Sequence, residues 1–352
     1  MHTLNDKHLL TLSLTLAALL SACGGGGGGD NDPPDTQITT NPTGNETDTG
    51  NGESRSISYN GKNTPALITS GNAKKLVSNS YAITEGGSSL GAPITQASVG
   101  NTGPERPLQS ARALSAIVSS SATRTEELMA LRGNPDGEMS AAAMNSHTMQ
   151  GSCGGTASYR METNETTGEF SGSFTYDQYC EDDLILNGAM HISGTVDRVL
   201  GTTYMSLRFD FIQSRDRTGS ESTTTAGTIT MTETDMQTDT VMNLLSRDDR
   251  SGDVYKLEDL KISENERGNY VESTIQGRFY DPREGYVELS TVIRFRTYAM
   301  DDYPKEGKMR LDGANGTFAT LTANPDGYTY TMEADTNGDG LIDLSETVAW
   351  EQ

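Results

Sequence analysis

Positive charge is scarce in this sequence: 26 lysines and arginines face 49 aspartates and glutamates, a formal net charge of −23. Phosphate backbones would be repelled by such a surface, which argues against nucleic acid as a partner; the plain consequence of the acidity is solubility. Histidine is almost as rare. Beyond residue 22 only His147 and His191 occur, and a lone histidine in a strand or a polar loop is ordinarily solvated or hydrogen-bonded rather than a catalytic base. There is neither an HExxH zinc site nor a P-loop. Cysteine is limited to Cys23, Cys153 and Cys180. Leu9 to Leu20, broken only by Thr and Ser, is an apolar run of twelve residues, short of the roughly 20 that a membrane-crossing helix needs. From Cys153 onward no ten-residue helical pattern interrupts the strand-like sequence, so parallel βαβ crossovers are not expected. With 33% hydrophobic residues and 38 glycines, the profile suits an antiparallel β protein with many turns and one wet face.

Residues 1–22 have the build of a secretory leader: a polar start with Lys7, the apolar run, then small residues. They end on Leu20-Ser21-Ala22-Cys23, which resembles the lipobox of bacterial lipoproteins. The resemblance implies a diacylglycerol on the Cys23 sulfur, cleavage before that residue, and acylation of the new amino terminus with a fatty acid such as palmitate. Several acyl chains anchor stably where one holds only marginally. Gly24, not Asp, follows the cysteine, which by the same resemblance implies the outer membrane of a Gram-negative cell. The expected partner is thus a membrane, reached through lipid.

Residues 23–54 read as a Gly/Asp/Thr-rich tether with almost no apolar side chain. Residues 55–152 read as a helical segment with loops. A short strand is expected at Ser56–Tyr59. Thr69-Ser70 can cap a helix over Asn72–Ala82, with Ala73, Leu76 and Tyr81 on one side. A loop is expected from Glu85 to Pro107, and a second helix from Leu108 to Arg132, halted by Gly133-Asn134-Pro135. Residues 134–151 read as irregular. Residues 153–352 read as strand after strand, divided by turns such as Asp281-Pro282-Arg283-Glu284-Gly285 and Asn324-Pro325-Asp326-Gly327. The expected fold is mainly β: an up-and-down antiparallel meander forming an open or closed barrel, with two N-terminal helices packed on it.

Two features carry chemistry. Cys153 and Cys180 are an even pair beyond the leader, which in an exported protein reads as a disulfide. In a hairpin turning at residues 164–168, the numbers of opposed residues add to about 333, and those of Cys153 and Cys180 do so. The second feature is Asp335 to Glu346, which matches the twelve-residue EF-hand calcium loop position by position. Asp335, Asn337 and Asp339 would supply side-chain oxygens, Leu341 its carbonyl, Asp343 a contact often made through water, and Glu346 two closing oxygens; Gly340 permits the sharp turn. The flanks differ from an EF-hand. Tyr328–Glu333 alternates like a strand, and Thr347–Trp350 reads as one helical turn or a closing strand; in the latter case Glu346 points away. A single site of this type serves structure, with Trp350 packed on the sheet. Gly87-Ser88-Ser89-Leu90-Gly91 fits the nucleophile-elbow pattern but lacks the strand and helix that an elbow requires.

Cys153-Gly154-Gly155, Tyr179-Cys180 to Leu186-Asn187-Gly188, Asp312 to Gly316 and Asp335 to Trp350 together are similar to uncharacterised β-rich lipoproteins of Gram-negative bacteria, a group whose resemblance implies architecture and no activity. The leading functional expectation is a non-enzymatic outer-membrane lipoprotein that binds protein or glycan and holds a structural Ca2+. The alternative is a carrier of lipid or another apolar ligand in a half-open barrel. A hydrolase would require His147 or His191 to meet a nucleophile or carboxylate in a pocket.

Overall fold

A computed structural model describes residues 57–88 and 143–350, apart from 165, 182, 183, 198, 220, 221 and 235. Helix α1 (Ala73–Ser88) precedes fourteen strands: β1 (Ala143–Gln150), β2 (Gly154–Thr163), β3 (Glu169–Glu181), β4 (Leu184–Asp197), β5 (Thr202–Asp216), β6 (Ser222–Glu233), β7 (Gln237–Asp248), β8 (Val254–Glu266), β9 (Tyr270–Asp281), β10 (Gly285–Tyr298), β11 (Glu306–Asp312), β12 (Phe318–Ala323), β13 (Thr329–Asp335) and β14 (Leu344–Ala349). Each strand pairs antiparallel with its chain neighbours in a single 14-stranded meander, with β1 and β14 at the edges. The mainly β, antiparallel expectation therefore holds, and the sheet is open among the described residues.

Alternation explains the layering. One face carries apolar cross-strand rows: Tyr159, Phe174, Met190 and Phe209 lie opposite one another on β2 to β5, and Ile192, Leu207, Ile229, Met242 and Leu260 continue across β4 to β8. These residues belong to one continuous buried cluster that reaches Met332 and Trp350 at the far edge. The other face carries Ser, Thr and charged residues. A line of irregularities crosses the middle of the sheet, with register shifts on β4–β5, β5–β6, β7–β8 and β8–β9. Gly188 and Gly227 sit on this line at φ +120° and +129°, and a Cβ there would lie 1.7 Å from the Phe211 carbonyl oxygen and 2.2 Å from that of Asn243. Bulges and glycine kinks of this kind bend strands and give a sheet its curvature.

Helix α1 packs on the buried face through Ala73, Leu76, Val77 and Tyr81. The Thr69 carbonyl accepts the Ala73 N–H at 3.0 Å, and Asn72 Oδ1 accepts the Thr69 N–H at 2.8 Å, which closes the first turn. Lys75 Nζ meets the fully buried Asp281 carboxylate at 2.7 Å, and Asp281 Oδ1 also accepts the Arg283 and Glu284 N–H groups. A charge taken out of water needs such partners.

Several local expectations are corrected. The helix extends to Ser88 rather than ending at Ala82, so Gly87 and Ser88 of the elbow-like pentapeptide are helical. No strand forms at 57–59; the chain runs extended, with Ile57 against Ala226 and Val254, and Pro65 makes a parallel bridge to Tyr286. The sheet begins at Ala143, within the stretch expected to be irregular. Ala-Met-Asn-Ser-His-Thr-Met-Gln has little strand propensity of its own and owes its conformation to pairing with β2. The expected helix over 108–132 and the tether lie outside the described residues.

Glu264 is a carboxylate on the apolar face, in phase with Leu260 and Ile262 on β8 and opposite Thr238 and Ser273. Burial, then the nearby Glu266 carboxylate, push its carboxyl up to about 8. A raised carboxyl pKa means that the folded state holds a proton which the unfolded chain releases. Stability is thus full below about 4.5 and declines as pH rises to about 8. Glu264→Gln is expected to remove that decline and to stabilise the protein at pH 8.5 by on the order of 2 kcal/mol, allowing for partial solvent access. Urea unfolding of both proteins at pH 5 and pH 8.5 measures this; equal pH slopes would refute it.

Candidate functional site

The strand β13 ends on Asp335 and β14 begins at Leu344, so residues 335–343 form the connecting loop. Asp335 is completely buried. Its Oδ1 accepts the Asn337 and Gly338 N–H groups at 3.2 and 2.7 Å, and its Oδ2 accepts the Gly340 N–H at 2.7 Å. Desolvation alone would raise its pKa, but the backbone donors of Gly340, Gly338, Asn337 and Asp339 outweigh it and hold the carboxyl below the usual carboxylate range. Asn337 Oδ1 accepts the Asp339 N–H at 2.9 Å, and Asp339 Oδ1 the Leu341 N–H at 2.8 Å. Side chains at loop positions one, three and five therefore each fold back onto the loop backbone. Gly338 and Gly340 have φ of +79° and +87°; these left-handed positions suit glycine.

Of the remaining expected ligands, Asp343 is tied into the same loop and Glu346 is engaged outside it. Asp343 Oδ2 accepts the Thr336 N–H and hydroxyl, both at 2.8 Å, while its own N–H closes the loop on the Ala334 carbonyl at 2.9 Å. Residues 344–349 are a strand, and Glu346 lies opposite Met332 in it. Its carboxylate pairs with Lys74 Nζ of α1 at 2.7 Å. Leu341 is exposed. Among the described residues no three carboxylate, imidazole or thiol side chains converge as a metal-holding group. The structure thus brings Asp335, Asn337 and Asp339 into one tight loop, joins Asp343 to it through Asn337 Nδ2, which donates to Asp343 Oδ1 at 3.3 Å, and leaves Glu346 on Lys74.

Cys153 and Cys180 form a disulfide with Cα atoms 5.1 Å apart. The hairpin register is the expected one from Thr156 opposite Asp177 to Met161 opposite Gly172; a one-residue shift follows, and Gly154 stands opposite Cys180. Gln178 absorbs the extra residue at φ +50°, and its N–H is held by Asn187 Oδ1 at 2.9 Å.

The two histidines lie apart in role. His147, on the edge strand β1, has its ring 5.9 Å from that of Tyr159. His191 Nε2 lies 2.7 Å from Asp210 Oδ2, and Arg208 reaches the other oxygen of that carboxylate at 3.2 Å. His191 and Arg208 border a hollow on the polar face of β2 to β6. Sequence reasoning left this group unassembled, although strand alternation places Arg160, His191 and Arg208 on one face and the hairpin arithmetic that pairs the cysteines also pairs Arg160 with Ser173. Comparison with known protein families, with curated proteins and with solved structures finds no match for this chain.

Proposed function

We propose that the protein is a lipid-anchored module of the outer membrane, a non-enzymatic lipoprotein that binds protein or glycan on its β-sheet body and uses Ca2+ as a structural ion in the 335–346 loop. Lipidation at Cys23 rests on the Leu20 to Cys23 sequence. The observation that carries the calcium reading is the back-folded set of Asp335, Asn337 and Asp339. An ionised carboxylate has about four acceptor positions and an amide oxygen two lone pairs; Asp339 and Asn337 each accept one backbone N–H and keep further positions, whereas Asp335 is surrounded by backbone donors and would exchange one of them for the ion. Asp335, Asn337, Asp339, the Leu341 carbonyl and Asp343 would hold the ion. Glu346 would join only by leaving Lys74. The ion would neutralise clustered carboxylates and tie the β13–β14 hairpin.

At 10 mM calcium, a site with a dissociation constant on the order of 10⁻⁴–10⁻³ M stabilises by about 1.4–2.7 kcal/mol. The expected result is a rise in thermal midpoint with calcium but not with magnesium, lost in Asp339→Asn, whose side chain is exposed. An unchanged midpoint would count against the ion. For the anchor, Cys23→Ser is expected to move the protein from the membrane to the soluble fraction, and globomycin to leave the precursor uncleaved; retention on the membrane by the variant would remove this part of the reading.

The alternative, a carrier of lipid or another apolar ligand in a half-open barrel, draws on Asn79 Nδ2 and Ser80 Oγ, which are buried on α1 with no partner among the described residues. The continuous apolar cluster between α1 and the sheet favours a packed body instead.

A further inference from the structure

The polar face of β2 to β6 has an ordered composition. Arg160, Ser173, His191, Arg208 and Thr228 stand opposite one another in a single cross-strand row. Two residues along each strand, Glu162, Ser171, Ser193 and Ser206 form a second row. Short hydroxyl side chains between long charged ones leave an open hollow of about 590 Å³. Five strands at about 4.8 Å spacing extend it over roughly 19 Å, the length of an oligomer rather than of one small ring.

The chemistry of the lining restricts what fits. Arg160 Nη2 meets Glu162 at 3.2 Å, Arg208 Nη2 meets Asp210 at 3.2 Å, and His191 Nε2 meets Asp210 at 2.7 Å. Each guanidinium is thereby oriented by a carboxylate on its own strand. It carries five N–H donors, more than that one contact uses, and its planar fork suits a ligand carboxylate. The two arginines and two carboxylates cancel in formal charge, on a chain of net −23. No excess positive field is available there for any polyanion, so a ligand carboxylate would be held singly, by hydrogen bonds to the remaining donors of one guanidinium. Apolar ligands call for an enclosed apolar wall, and Ile192, the one large apolar residue of the lining, points its side chain into the core on the opposite face. A ligand rich in hydroxyls uses both the serine donors and the carboxylate acceptors. Among the described residues no serine hydroxyl is hydrogen-bonded to the imidazole, so the group is suited to binding rather than to acyl transfer.

We infer that this hollow is a binding site for an acidic saccharide chain, with ligand carboxylates on Arg160 and Arg208 and ligand hydroxyls on the serine rows. The inference rests on the reading of the body as a binding module. Its test is isothermal titration of the whole lipid-free mature chain with tetragalacturonate, cellotetraose, galacturonate and inorganic phosphate, in EDTA so that no metal bridges the sugar. The tetramer of the acid is expected to bind, with at least tenfold weaker binding by the neutral tetramer, by the monomer and by phosphate. Arg160→Gln and Arg208→Gln, both at exposed side chains, are each expected to weaken tetragalacturonate tenfold or more, with thermal midpoints unchanged. The inference is overturned by absent binding at millimolar acid, by equal binding of cellotetraose, or by indifference to both substitutions. Calcium stabilisation and membrane partition are read separately, so loss of the saccharide leaves the anchor and ion readings to their own tests.

Discussion

Trp350→Ala is expected to destabilise the protein by about 3–5 kcal/mol, the largest effect of any single side chain at the sheet edge. Trp350 is 4% exposed although it follows the last strand. Its ring is 4.7 Å from Tyr81 of α1, 4.6 Å from Tyr330 of β13, and stacked at 5.4 Å on Tyr303 of the β10–β11 connection. Tyr81 in turn lies 5.7 Å from Phe295. One indole therefore joins helix, penultimate strand and connecting loop, and aromatic pairs add to the burial of the rings themselves. Its backbone N–H also closes on the Tyr328 carbonyl at 2.9 Å, a bond that survives the substitution. Among the described residues the indole N–H has no acceptor, so Trp350→Phe sacrifices volume but no hydrogen bond and is expected to cost less than half as much. Thermal melts followed by circular dichroism should show a drop of roughly 10 °C for alanine. Equal, small losses for both variants would mean that α1 does not depend on this contact.

Reduction of the Cys153–Cys180 disulfide is expected to cost about 3–4 kcal/mol, because the bond closes a loop of 27 residues in sequence separation. The bond lies at the open end of the β2–β3 hairpin, opposite the turn, where nothing else in the covalent chain restrains the two strands. Cys180 is buried, and the Cys153 N–H donates to the Cys180 carbonyl at 3.2 Å, so the native geometry accepts the link. The double variant Cys153→Ser/Cys180→Ser should reproduce the reduced protein, whereas a reductant should leave that variant unaffected. Urea unfolding with and without dithiothreitol is the measurement. Hydrogen exchange in β1, β2 and β3 should rise first, since β1 is held through β2 alone. A midpoint insensitive to reductant would show that strand pairing suffices at this edge.

How far the sequence foretells this architecture depends on the range of the force involved. Alternation is local and strong in the central strands, so β4 and β10, at 184–197 and 285–298, fall within the stretch expected to be strand after strand. The Asp335 to Asp343 loop was legible for a similar reason: short-range Asx turns and two glycines determine it. By contrast β1 carries no alternating signal, and its strand conformation comes from partners six to twenty residues away. The path of Glu346 was ambiguous, because Thr347 to Trp350 fits a helical turn as well as a strand; pairing of β14 with β13 and the reach of Lys74 from α1, 272 residues away, select the strand. The hollow around His191 was invisible for want of registers on β3–β4 and β4–β5, which the bulges shift by single residues.

By itself, then, the amino-acid order determined an antiparallel meander, the turns that divide it, the cysteine pair and a tight acidic loop, because each follows from side-chain period, turn chemistry or hairpin counting within about thirty residues. Tertiary structure alone decided that the sheet remains open among the described residues, that α1 lies on its apolar face clasped by Asp281 and Trp350, and that arginines and histidine from β2, β4 and β5 share one polar row. Those outcomes depend on register across many strands, where one bulged residue moves every later side chain, and local sequence carries no record of the sum.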